Sequence, residues 1–261
     1  MAGASQGADA SLVEIFASAQ GEGPWVGAET IFVRFGGCNL RCGWCDSPKT
    51  WLASAACRIE DAPGSERFSN VANPVPIDVV DRALATLAPV GAGFVSLTGG
   101  EPLLQPQAVR AVAERARARG LRSYLETDGL EIEALRSVVD AIDFVSMDWK
   151  LASDVAWADR EDHRNFASIH SEFLALSHAE SEVYVKVVVT PNTRDAELDA
   201  VCDGVRSVAQ DVPLVLQPVT PFGRIRERPS AGQILGWQRR CAEKLDDVRI
   251  IPQTHRAYEA L

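Results

Sequence analysis

Short runs of apolar, β-branched and aromatic residues recur along the chain, at 30–35, 94–97, 122–125, 144–147, 183–189, 214–216 and 248–251. Between them lie segments with apolar residues at helical spacing: 77–87, 105–119, 131–139, 196–209 and 232–245. Alternation of this kind predicts parallel strands joined by crossover helices, an α/β fold in which a ligand site forms at the carboxyl ends of the strands. The stretch 52–76, rich in Ala, Ser, Pro and Asn, breaks the pattern and reads as an irregular excursion. The small, polar residues 1–11 read as a frayed tail, and residues 1–261 as one domain without a linker.

Composition narrows the classes without selecting one. At 261 residues and 46 % hydrophobic content the chain can bury a full core. Asp and Glu number 36 against 26 Lys and Arg, a net charge of −10, which disfavours nonspecific nucleic-acid binding. No apolar run reaches membrane-spanning length, and the first residues lack the basic and apolar regions of a signal peptide. The expected compartment is the cytoplasm, where clustered cysteines are reduced thiols or metal ligands.

Cys38, Cys42 and Cys45 are such a cluster. Three thiolates on one short loop can ligate three irons of a 4Fe–4S cubane and leave the fourth iron open to a cosubstrate. Two other readings stay open from spacing alone. A structural zinc site would need a fourth ligand, for which Cys57 is nearest, and a Cys-x2-Cys pair can serve redox chemistry. Cys202 and Cys241 read as ordinary buried thiols. His163, His170 and His178 show no ligand spacing and read as surface residues.

Polar groups also gather just after the strand runs: Thr98-Gly99-Gly100-Glu101-Pro102, Glu126-Thr127-Asp128-Gly129, Ser146 to Lys150, and Gln217-Pro218-Val219-Thr220. Singly, each is as well read as a turn or a helix cap. Taken with the cysteine loop, they resemble the radical S-adenosylmethionine (SAM) superfamily. That resemblance implies a partial, open (β/α)6 TIM-like barrel. The open iron would chelate SAM, and an electron from the cluster would split its sulfonium to give a 5′-deoxyadenosyl radical.

Further toward the N-terminus stand Gln20-Gly21-Glu22-Gly23, Gly27 and Phe32-Val33-Arg34-Phe35, and near the C-terminus Pro252-Gln253-Thr254-His255. With the cysteine loop these resemble the 7-carboxy-7-deazaguanine synthase family. Members are lyases that contract 6-carboxy-5,6,7,8-tetrahydropterin with loss of ammonia, on the route to queuosine and other 7-deazapurines. The resemblance implies that Ala19, Gln20, Gly21 and Glu22 form a pterin-binding turn. It implies that Arg34 meets the substrate carboxylate, that Thr98 contacts substrate, and that His255 or the Leu261 carboxylate lies nearby. Trp44, Cys45, Asp46, Gly100, Glu101, Ser146, Asp148 and Lys150 match SAM contacts, as do Gln217, Pro218, Val219 and Thr220. Ser47 matches a hydroxyl ligand of Mg²⁺. A flavodoxin- or ferredoxin-type reductant and a homodimer are implied too. The competing functions are an activase that installs glycyl radicals on a partner protein and a zinc-stabilised binding protein without catalysis.

Overall fold

The computed structural model describes residues 9–91, 93–159, 161–162 and 164–257. The chain opens with a hairpin of β1 (Leu12–Ala19) and β2 (Glu29–Phe35), then the short β3 (Leu40–Cys42) and a second hairpin, β4 (Ala56–Glu60) and β5 (Phe68–Ala72). Alternation follows: α1 (Ile77–Thr86), β6 (Phe94–Gly99), α2 (Pro106–Ala118), β7 (Arg122–Thr127), α3 (Ile132–Arg136) and β8 (Phe144–Asp148). After β9 (Val155–Trp157) come α4 (Phe166–Glu180), β10 (Glu182–Val189), α5 (Asp195–Val208), β11 (Leu214–Pro218), α6 (Ala231–Ala242) and β12 (Val248–Ile250).

Ten of these strands make one sheet in the order β12-β11-β10-β8-β7-β6-β2-β1-β4-β5. Every pairing from β12 to β2 is parallel, so seven carboxyl ends point the same way. The end strands β12 and β5 do not pair with each other, and the barrel stays open. This is the α/β architecture expected from the alternating pattern, in the partial, open barrel that the resemblance implied.

Side chains alternate across each strand, and the two faces carry different chemistry. Outward positions such as Val95, Leu97, Leu125, Val145, Met147, Val185, Val187, Leu214 and Leu216 join the main core under the helices, with Val109, Val112, Phe173, Leu174, Leu198 and Val201. Inward positions change along the strand. At the amino ends, Phe94, Tyr124, Phe144, Tyr184 and Val215 form a second cluster, capped by Trp25 and Ile251. Two residues further along, the same rows become Ser96, Glu126, Ser146, Lys186 and Gln217, all on inward positions. The barrel is therefore plugged with aromatics at one end and polar at the other.

Several expectations are corrected. Within 52–76, β4 and β5 extend the sheet beyond β1, with Cys57 and Ile59 packed on the main core. The run was too polar to signal strands because β5 is an edge strand with three of its five residues in water. Residues 9–11 are part of the fold: Ala10 is fully buried and bridges Val75. Helix α4 went unread because its buried stripe includes His170 and Ser177 as well as Phe173 and Leu174. His170 is not a surface residue but completely enclosed; its ring lies 4.9 Å from that of Trp149, and its Nε2 bonds the Asp128 carbonyl at 2.9 Å. His178 is exposed. His163 and Leu261 lie outside the described residues.

Burial pushes the His170 imidazole down to about 3, from an ordinary 6.5. A group depressed on folding takes its proton first in the unfolded chain. Its stabilisation is intact above pH 6.5 and is lost as pH falls toward 3, at about 1.4 kcal/mol per pH unit. The melting temperature should therefore drop more between about pH 7 and pH 5 in the parent than in His170→Gln. Equal pH dependence in the two proteins would remove His170 as the source.

Candidate active site

One cavity of about 430 Å³ opens at the carboxyl ends of the parallel strands. The cysteine loop forms one wall. It leaves β2 at Phe35 and is pinned from two directions. Strand β3 pairs with β9, so Leu40, Arg41 and Cys42 face Trp157, Ala156 and Val155. The Gly43 N–H donates to the Asp154 carbonyl at 2.8 Å and the Ala158 N–H to the Asn39 carbonyl at 2.7 Å. Cys38, Cys42 and Cys45 are half-buried and all line the cavity.

These thiols stand at the cavity without the fourth cysteine that a zinc site would need. Burial pushes Cys38 up to about 12 and Cys42 up to about 11, so in the absence of metal both stay protonated. A bound metal would deprotonate them. Among the described residues no three Cys, His, Asp or Glu side chains gather as a single-ion site. Cys57, the fourth ligand a zinc site would need, is fully buried in the main core on β4.

The backbone after β6 comes as close as backbone can. A Cβ on Gly100 would lie 1.9 Å from the Gly37 carbonyl, and one on Gly99, at φ +123°, 2.4 Å from the Phe35 backbone. Only glycine lets the β6 end nest against the cysteine loop. Glu101 follows this glycine pair. It is fully enclosed, does not line the cavity, and accepts from the Leu103 N–H, the Thr127 hydroxyl and the Asp128 N–H. It ties the β6 and β7 ends together. Asp128 is the carboxyl that reaches the cavity; burial, and next the neighbouring Glu101, hold its pKa well above the usual range.

Two buried acceptors in this wall have no partner: Asp148 Oδ1 and Gln217 Oε1. A ligand rich in N–H and O–H donors would satisfy them, and the ammonium, ribose hydroxyls and adenine amine of SAM are such donors. Trp44, Asp46, Ser146, Lys150, Val219 and Thr220 line the same space, whereas Pro218 does not. For Mg²⁺, Ser47 Oγ and Asp46 Oδ1 lie 2.9 Å apart at the rim, a pair of hard oxygens of the kind that ion takes.

Across the cavity, the turn after β1 closes the open side of the barrel. Its Gly21 carbonyl accepts from the Thr254 N–H at 2.8 Å, and Trp25 packs between Phe94 and Phe144. Ala19, Gln20, Gly21 and Glu22 thereby face Thr98, Arg34 and His255 in one space. Gln20 Nε2 donates to Glu126 at 3.0 Å, which also accepts from Ser96 and Thr98.

A chain of buried charges joins this turn to the cysteine wall. Glu22 pairs with Lys186; Lys186 lies 3.4 Å from Asp148; Lys150 pairs with Asp148 at 2.8 Å and stands over the Trp44 ring. Burial alone would raise the Glu22 carboxyl, but the Lys186 ammonium, joined by the Gln253 amide and His255, outweighs it and holds the group at about 2. Lys186 and Glu14 were not singled out as site residues from the sequence, and Glu126 and Asp128 were marked only as part of a strand-end motif. One signal was present: Lys186 and Glu14 are charges at inward positions of otherwise apolar strand runs.

Residues 32–201 match the model of the radical SAM superfamily. A 7-carboxy-7-deazaguanine synthase of Geobacter sulfurreducens is 37 % identical over 95 % of this chain and 96 % of its own. One of Methanocaldococcus jannaschii is 31 % identical over 93 % and 97 %. The crystal structure of QueE from Escherichia coli, at 18 % identity, superposes over 95 % of both chains with a TM-score of 0.57 and shares the fold. With those matches spanning nearly its whole length, the chain belongs to the radical SAM superfamily and, within it, to the 7-carboxy-7-deazaguanine synthase family.

Proposed function

We propose that this chain is a radical SAM lyase that converts 6-carboxy-5,6,7,8-tetrahydropterin to 7-carboxy-7-deazaguanine with loss of ammonia. The observation that carries the reading is a single cavity walled on one side by the three-cysteine loop and on the other by the Gln20–Glu22 turn and Arg34. Cys38, Cys42 and Cys45 would hold the 4Fe–4S cluster, Ser47 the Mg²⁺, and the unpartnered acceptors of Asp148 and Gln217 the SAM. When bound, cluster and SAM together supply a carbon radical able to take a hydrogen atom from an unactivated position.

The chain's own residues then have three tasks. Glu22 and Glu126, one pinned by Lys186 and the other by Ser96, Thr98 and Gln20, offer fixed acceptors to the N–H donors of a pterin. Arg34 offers a planar fork to its carboxylate. The turn at Gln20–Trp25, held by Thr254 and the aromatic plug, shuts the open side of the barrel and keeps water from a reactive site. A ring contraction with loss of ammonia needs no net oxidation or reduction, so binding that retains both ligands is the main demand. A cytoplasmic location, which rests on the sequence reading, and a homodimer and a flavodoxin- or ferredoxin-type reductant, which rest on the family resemblance, complete the proposal. Among the described residues no helix is long and apolar enough to cross a membrane. Anaerobic turnover of the carboxytetrahydropterin with SAM and a reductant, followed by identification of the product, tests the assignment directly.

Replacing any one of Cys38, Cys42 or Cys45 by Ala should abolish the brown chromophore and activity. The same change at Cys57, Cys202 or Cys241 should leave iron content unaltered; iron loss on changing Cys57 would argue for a four-cysteine site. Lys186→Met should cost about 3–5 kcal/mol in stability, because it leaves Glu22 and Asp148 charged and short of a cation. Adding Glu22→Gln should restore part of the loss in a denaturation series. Arg34→Lys should weaken binding of the substrate far more than binding of SAM, since a point charge cannot reproduce the fork; equal weakening of both would end that assignment.

A further inference from the structure

Three cations converge on one buried carboxylate beside the cysteine loop. Glu14, whose side chain is 4 % exposed, accepts from Arg34 Nε at 2.7 Å, Lys49 Nζ at 3.0 Å and Arg58 Nε at 2.6 Å. The three come from separate places: β2, the turn after the cysteine loop, and β4. All four residues line the cavity that also holds Ser47 and Thr98.

The charges do not balance. One carboxylate neutralises one of the three cations and leaves a local surplus of positive charge facing a partly desolvated space. Arg34 spends only its Nε on Glu14, which leaves its terminal nitrogens for a second acceptor. Lys49 and Arg58 are 51 % and 38 % exposed and can turn toward an incoming anion. Arg58 is brought there by the β4–β5 extension, which lies outside the run of parallel strands.

We propose that Lys49 and Arg58 join Arg34 in a three-cation cradle for one carboxylate of the ligand, with Glu14 as the fixed counter-ion that spaces them. They set the preference for carboxylated over uncarboxylated pterins. The inference rests on the pterin reading of the cavity and extends it to residues which that reading does not use.

The test is calorimetric titration of the anaerobically reconstituted protein with 6-carboxypterin and with unsubstituted pterin. The parent should bind 6-carboxypterin about tenfold or more tighter, with the ratio falling as salt rises from about 50 to about 500 mM. Arg58→Met and Lys49→Met should each cut that ratio by about three- to tenfold while leaving affinity for unsubstituted pterin unchanged. A ratio unchanged in both Met variants and in their double would overturn the cradle while the pterin reading stands. A parent that binds the two pterins equally would overturn it as well. A parent that binds neither would bring down the pterin reading and the cradle with it.

Discussion

The ammonium of Lys186 is the interaction on which the site's architecture depends. It sits on an inward position of β10, almost without solvent, in a barrel whose neighbouring rows are aromatic below and polar above. A charge in that place is tolerable only if paired and hydrogen-bonded. The two carboxylates that pair it come from far apart in sequence. Glu22 belongs to the turn after β1 and Asp148 to the end of β8. Gln253, beyond β12, donates to the same Glu22 at 2.7 Å, so the N-terminal turn and the C-terminal segment are fastened at one point. Asp148 passes the linkage to Lys150, whose ammonium lies 4.8 Å from the centre of Trp44 in the cysteine loop. One buried cation thereby organises both walls of the cavity.

That arrangement works only because the strands are parallel. With seven carboxyl ends at the same rim, short polar segments from β6, β7, β8 and β11 converge although up to a hundred residues or more of chain separate them. The apolar cluster of Phe94, Tyr124, Phe144, Tyr184 and Trp25 fills the other end of the barrel. Ligands are confined to the rim as a result. Carboxyl pairs placed there are subject to low dielectric. Glu101 and Asp128 both have raised pKa values, with burial the main cause, and Glu101 pays for its enclosure with three hydrogen bonds that lock two strand ends together. Its rigidity, and that of the glycine pair before it, shapes the wall on which the cysteine loop rests.

The amino-acid sequence by itself determined the alternating α/β plan, the position of the parallel strand runs and the three-cysteine loop. These are local properties: strand and helix periodicity are written within a dozen residues, and thiols meant for one cluster can stand on one turn. It also marked the strand-end motifs, because glycines and polar residues at the close of an apolar run stand out. The strands of 52–76 were not legible, since an edge hairpin needs little apolar surface and its pairing with β1 is a long-range event. Nor was α4, whose buried face is partly polar. Only the tertiary structure decided which charges meet. Glu14 gathers cations from β2, the cysteine-loop turn and β4, and Lys186 gathers carboxylates from the first turn and the fourth parallel strand. Pairing energies of that kind depend on distance and burial in three dimensions, and neither is encoded in the spacing of residues along the chain.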